Sequence, residues 1–181
     1  EKGEQGRHGR TWFKGRRTSG RGADVVAVRA SLSACAKREQ WQRALQRFQE
    51  MRSNGVRDDV ISYSATICAC EKGPQWQRAM QLFQEMRSNG VQADVIPYNA
   101  SISACEKGQQ WQRALQLFQE MRSNGTQADI ITHSASISAC EKGQQWQRAL
   151  QLFQEMRSNG TQADIITYSD SISACERGQE G

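Results

Sequence analysis

Histidine is nearly missing from this chain, with His8 and His133 its only two copies in 181 residues. Enzymes that move protons or hold zinc lose their most common side chain as a result. No Ser-His-Asp set, metal cluster or C-x-x-C pair can be assembled from what remains, so neither catalysis nor a bound metal or cofactor is expected. Long apolar runs are missing too: none approaches the roughly 20 residues that a membrane helix requires, and no membrane partner is expected. Apolar residues make up only 37% of the chain and mean hydropathy is −0.76, which is little for one round core. A thin, elongated architecture suits that composition better.

Charge is present but uneven. The net +5 resolves into +4 over residues 1–24, +3 over 25–59, zero over each of the next three 35-residue blocks, and −2 over 165–181. A basic balance favours an acidic polymer such as a nucleic acid, yet here it sits at the N-terminal end, where a solvated charged tail explains it equally well. The chain opens on Glu1 rather than a methionine, so it is expected to be a soluble fragment of a longer protein whose targeting segment would lie upstream.

Cysteine has a regular placement. Cys35, Cys70, Cys105, Cys140 and Cys175 recur every 35 residues, with Cys68 as the extra one. Equivalent positions on stacked units lie roughly 8–10 Å apart, beyond disulfide reach, so these thiols are expected to be small buried hydrophobes in a reducing compartment.

The same period governs the whole sequence. The run WQRALQLFQEMRSNG occurs verbatim from Trp111 and from Trp146, with near copies from Trp41 and Trp76. Units 25–59 (divergent), 60–94, 95–129 and 130–164 follow without insertions, and 165–181 makes a partial fifth unit comprising a first helix. Residues 1–24 form a basic Gly/Arg-rich tail, expected to be disordered, whose last five residues resemble the end of a degraded unit.

Within 130–164, Trp146, Ala149, Leu150, Phe153 and Met156 fall at helical spacing and predict an amphipathic second helix with a core anchor at each tryptophan. His133, Ile137 and Cys140, like Tyr98, Ile102 and Cys105, mark the apolar stripe of a first helix whose opposite face is small and polar and is expected to line a surface. Gly143 punctuates the inner turn and Asn159-Gly160 ends the second helix. Pro97 falls in a first turn and Pro74 between helices, so neither breaks one. A lone hairpin of this kind cannot bury its stripe. The expected fold is therefore all-α, an α-solenoid of tandem 35-residue helix-turn-helix units.

The unit resembles the pentatricopeptide repeat, in its P-type 35-residue form, over about residues 25–179. The likeness is carried by VISYSATICAC and VIPYNASISAC at the first helix, by Tyr63, Tyr98 and Tyr168 at the fourth slot, and by the ALQLFQEMRSNG run with a closing Asp. The tetratricopeptide pattern, with its 34-residue period and W-x₂-L-G-x₂-Y opening, does not fit. Two departures stand out: Ala163 and its equivalents replace a usual proline, and Arg148 replaces a common acidic residue. Unit 25–59 departs further, with Val28 at the aromatic slot and Arg38 at the turn glycine.

The resemblance implies single-stranded RNA as partner, read at about one base per repeat by the second, fifth and last slots. Base-reading pairs would be Ser64 with Asp94, Asn99 with Asp129, and Ser134 with Asp164, with Ser169 opening the next. Arg29 with Asp59 matches no known pairing. Val26, Ile61, Ile96, Ile131 and Ile166 at the second slot would clamp bases, or else pack between helices. A carboxylate accepts hydrogen bonds and cannot donate, so each Asp favours the imino N–H of uracil or guanine. By resemblance Asn with Asp favours uracil and Ser with Asp guanine, giving Gua-Ura-Gua for the second to fourth repeats. Each Asp is equally suited to cap the following helix. Lys72, Lys107 and Lys142 would meet phosphates or simply complement helix C-termini. The implied role is an RNA-binding adaptor without catalytic activity in organellar RNA processing, stabilisation or translation, in the plastid or mitochondrion with the plastid favoured. The alternative is a helical scaffold for protein partners, and neither needs a small-molecule substrate.

Overall fold

The computed structural model describes residues 30, 31 and 34, 40–73 and 75–179, with the side chains of 177–179 excepted. The tail, the first helix of unit 25–59 with Val26 and Arg29, and Pro74 lie outside or largely outside these. Eight helices and no strand occur among the described residues: α1 Trp41–Ser53, α2 Val60–Lys72, α3 Trp76–Ser88, α4 Val95–Lys107, α5 Trp111–Ser123, α6 Ile130–Lys142, α7 Trp146–Ser158 and α8 Ile165–Gln179. The chain is an all-α helical repeat solenoid. Even-numbered helices are the first helices of their units and odd-numbered ones the second.

The two helix types are built differently. On α3, Ala79, Met80, Leu82, Phe83 and Met86 are buried while Gln81 and Gln84 are exposed, a one-sided stripe. On α2 the unbroken run Ser62–Ile67 is buried, because each interior first helix is covered from three directions. It packs on its own second helix, on the second helix of the preceding unit and on neighbouring first helices. The expected polar face lines a surface only in part, through residues such as Ser134 and Ser138, while small residues such as Ala65 and Ala100 are buried, which lets first helices approach one another. Second helices do not come within 8 Å of each other between Cα atoms. A tightly packed first-helix layer beneath a spread second-helix layer places the first helices on the concave side.

Helix ends follow local chemistry. Asp59, Asp94, Asp129 and Asp164 each precede a first helix and accept from its backbone N–H groups, at 2.8–3.0 Å. Second helices stop at a left-handed glycine, as at Gly125 (φ 75°) and Gly160 (φ 74°). The inner turn holds Gly143, as its spacing predicts, but not in a left-handed conformation. Gly143 has φ −86°, and the left-handed residue is Gln144 at 56°. Glycine is required for clearance instead: a Cβ on Gly143 would sit 2.2 Å from Trp111 Cδ1, and one on Gly108 2.5 Å from Trp76 Cδ1. Trp41, Trp76 and Trp111 thus each lie across the turn of the next unit. The guanidinium of Arg148 rests 5.5 Å from the Trp111 ring centroid and Arg113 5.6 Å from that of Trp76. This contact accounts for arginine at a slot where the family commonly has an acid. It also corrects the core-anchor expectation, since Trp41, Trp76 and Trp111 are only partly buried and Trp146 is exposed.

The true core runs through Phe48, Phe83 and Phe118, each 2% exposed or less. Phe48 packs against Tyr63 and Phe83 against Tyr98 as tilted ring pairs with centroids 5.0 Å apart, so a second helix of one unit locks the first helix of the next. Tyr98 Oη donates to Glu120 (2.9 Å) and accepts from Asn124 (2.8 Å), tying the first helix to the end of its own second helix. His133 occupies that slot one unit later. It is too short to do the same, and its Nε2 is buried without a hydrogen-bond partner. His133→Tyr is expected to stabilise the protein by about 1–2 kcal/mol, by regaining bonds to Asn159 and Glu155 and removing an unsatisfied nitrogen. Chemical denaturation would check it; no gain, or a loss, would show that the slot has closed around the smaller ring.

The five described cysteines are free. Burial pushes the thiols of Cys70, Cys105 and Cys140 up to about 11, so they stay protonated and inert near neutrality.

Candidate nucleic-acid interface

The first-helix layer carries the residues singled out from the sequence. Ile61, Ile96, Ile131 and Ile166 form a column with 49%, 51%, 55% and 61% of their surface exposed. About half of each side chain is open to solvent and the rest is covered. Side chains of this size normally reach such exposure singly, and a regular column of them is a hydrophobic feature of the concave face.

Ser64, Asn99 and Ser134 at the fifth slot lie deeper. Ser64 is buried and turns its hydroxyl to the Val60 carbonyl at 2.5 Å. Asn99 is 9% exposed and donates from Nδ2 to both carboxylate oxygens of Asp129, at 3.1 and 3.0 Å. Ser134 is half-buried and Ser169 exposed. Of these, Asn99 meets its last-slot Asp directly, whereas the Ser64 hydroxyl goes to its own helix and Ser134 Oγ meets Thr167 Oγ1.

At the fourth seam the parts surround one space. Ile131, Ser134, Asp164 and Ile166 line an open concavity of about 320 Å³, together with Ser138 and Glu106 among others. Two half-exposed aliphatic walls flank a polar pair there. The Thr167 hydroxyl, then its backbone N–H, holds the Asp164 carboxyl below the usual carboxylate range.

Third-slot hydroxyls were missed in the sequence. Thr132 Oγ1 lies 2.5 Å from Asn99 Oδ1 and 2.8 Å from Asp129 Oδ1, and Thr167 Oγ1 lies 3.2 Å from Ser134 Oγ and 2.5 Å from Asp164 Oδ1. The available signal was the D-x-x-[ST] pattern at unit boundaries, readable as a cap and silent about the contact to the preceding unit.

The lysines are exposed, and two of them are already engaged. Lys107 Nζ pairs with Glu71 at 2.6 Å, and Lys142 pairs with Glu106, each reaching back one unit. Each joins an exposed ammonium to a largely covered carboxylate. Lys72 is exposed at the end of α2. Among the described residues no helix is long and apolar enough to cross a membrane, and no group of three or more His, Cys, Asp or Glu is placed to hold a metal ion.

Solved structures share this architecture. The pentatricopeptide repeat protein PPR10 in complex with an 18-nt psaJ RNA element is 26% identical over 92% of this chain and 24% of its own, with a TM-score of 0.72. PPR10 from maize is 25% identical over 82% of this chain and 21% of its own, with a TM-score of 0.63. The PPR domain of Arabidopsis thaliana protein-only RNase P 1, in complex with tRNA, is 14% identical over 86% of this chain and 82% of its own, with a TM-score of 0.76, a likeness of fold alone. The chain spans about a quarter of the PPR10 chain it matches. No curated protein matches it. The PPR repeat family model matches residues 93–142, the pentatricopeptide repeat domain model 19–73, and the PPR repeat model 61–91 and 131–161. With its solenoid of 35-residue helix pairs matched by these models across most of residues 19–161, the chain belongs to the pentatricopeptide repeat family.

Proposed function

We propose that the chain is a single-stranded RNA-binding adaptor that takes about one base per repeat and acts without catalysis in organellar RNA processing, stabilisation or translation, in a plastid or mitochondrion. The observation that carries this reading is the concavity at the fourth seam. Its isoleucine walls offer flat apolar contact to a base, and Ser134 with Asp164 offers hydrogen bonds at its edge. Likeness to the RNA-bound PPR10 structure over most of the chain supports the same partner.

The repeats 60–94, 95–129 and 130–164 carry no net charge, so affinity is expected to come more from stacking and edge contacts than from phosphates. Each stacked base contributes roughly 1–3 kcal/mol in such systems, so a short array binds weakly. With Lys107 and Lys142 already paired, the salt dependence should be shallow, each phosphate contact adding about 0.7 to the slope of log K against log salt. Fluorescence anisotropy with one labelled RNA, single-stranded and then annealed to its complement, tests this across a salt series. Preference for the single strand is expected. Equal binding of both forms, or binding of neither, would contradict the reading and leave a scaffold for protein partners in its place.

A further inference from the structure

We propose that the third-slot hydroxyl of the following repeat is a specificity-determining residue: Thr132 and Thr167 hold the reader pairs Asn99/Asp129 and Ser134/Asp164 in place before a base arrives, and Pro97 leaves Ser64/Asp94 unheld. The inference rests on base reading by the fifth and last slots.

The chain contains its own comparison. The second and fourth repeats have identical reader pairs, Ser with Asp, but different third-slot residues after them. At the fourth seam the hydroxyls form a directed chain. Thr167 has one proton, and its 2.5 Å approach to Asp164 Oδ1 commits that proton to the carboxylate, so Ser134 donates to Thr167 across the 3.2 Å gap. Ser134 is left with lone pairs free to accept from a base. Asp164 also receives the Thr167 N–H at 2.8 Å, so both of its rotatable bonds are fixed.

At the third seam the lock is tighter. The Asn99 amide is gripped at both ends, Nδ2 by Asp129 and Oδ1 by Thr132, while Thr132 Oγ1 accepts the Asp129 N–H at 3.1 Å. One amide hydrogen and the rims of two oxygens remain for a base edge, in a fixed orientation.

At the second seam these links are absent among the described contacts because proline has no hydroxyl. Asp94 is exposed and accepts from Ile96 N at 3.0 Å, and the Ser64 hydroxyl goes to its own helix at Val60. Fifth and last slots are thus uncoupled there. A pair held in the free protein need not be ordered at the moment of binding, and it offers one pattern of donors and acceptors rather than several. A loose pair adapts to more than one base.

The test uses the full chain and short single-stranded RNAs that vary only at the base facing the second or the fourth repeat, at one low salt concentration. Thr167→Val keeps the shape of the side chain and removes the hydroxyl. It is expected to reduce the ratio between best and worst base at the fourth step by about three- to ten-fold, the worth of a modest hydrogen bond. Thr167→Ser should retain the ratio. Pro97→Thr, which adds a capping hydroxyl, is expected to raise the ratio at the second step by a similar factor. A merely structural cap would shift affinity for all bases together and leave the ratios alone. Unchanged ratios in both Thr167→Val and Pro97→Thr, with the unsubstituted chain discriminating at the fourth step, would overturn the inference. Equal affinities of the unsubstituted chain for all four bases at both steps would overturn the underlying reading along with it.

Discussion

Phe83→Ala is expected to lower the unfolding free energy by about 3–5 kcal/mol, the range for removing a fully buried aromatic. Phe83 is 1% exposed and sits between α3 and α4, its ring 5.0 Å from that of Tyr98 in the next repeat. A solenoid has no central core, so the contact between neighbours is what holds one repeat to the next. Loss at this junction should therefore weaken the coupling as well as the total. Denaturant unfolding is expected to broaden or split as the two halves of the array melt separately, whereas Gln81→Ala on the exposed face of the same helix should change stability by less than about 0.5 kcal/mol. A Phe83→Ala cost below about 1 kcal/mol, with one sharp transition, would contradict this placement of the core.

Asp129→Asn is expected to change what is bound rather than how well the protein folds. Asn caps helices about as well as Asp, and its Oδ1 can still accept the Thr132 N–H that Asp129 accepts at 2.9 Å. Stability should fall by no more than about 1 kcal/mol. Base preference should move. The carboxylate accepts from the imino N–H of uracil, whereas an amide donates to the ring nitrogen acceptor of cytosine. Preference at the third repeat should shift from uracil toward cytosine by about 1 kcal/mol or more, several-fold in affinity, with the second and fourth steps unchanged. The Asn99 amide, which donates to both Asp129 oxygens, would keep one of these acceptors and face a donor in place of the other. Binding curves for four RNAs differing at that base give the answer.

Much of the architecture was legible because the repeat is nearly verbatim. The second helices announce themselves through Ala, Leu, Phe and Met at helical spacing, and they bury one stripe as that spacing requires. First helices were harder. Their small residues read as a polar surface, but Ser62, Thr66 and Ala65 are buried because neighbouring first helices press on them, and no periodicity within one helix reports a contact 35 residues away. The role of Gly143 was hidden for the same reason, since the ring it must clear belongs to Trp111 of the preceding repeat.

The site divides along the same line. Asp at the repeat boundary is a local cap signal, and all four Asp residues cap helices. The half-exposure of the isoleucine column is likewise set by how the first helices pack, which composition alone does not report. The Thr132 and Thr167 contacts cross between repeats, and only the packed first-helix layer brings those hydroxyls to Asn99 with Asp129 and to Ser134 with Asp164. Arg148 departs from the family pattern, and the ring it rests on belongs to Trp111 of the preceding repeat.

The central claim, that this array reads single-stranded RNA base by base, is tested most directly by measuring the affinity of the unsubstituted chain for single-stranded RNAs of one length at one salt concentration. One RNA would carry Gua-Ura-Gua opposite the second to fourth repeats, and the others the permuted and singly substituted triplets. The account predicts that Gua-Ura-Gua binds most tightly and that the uracil step discriminates best, because Asn99 and Asp129 are the most firmly held pair. Affinities that follow length and charge but are the same for every triplet would contradict it.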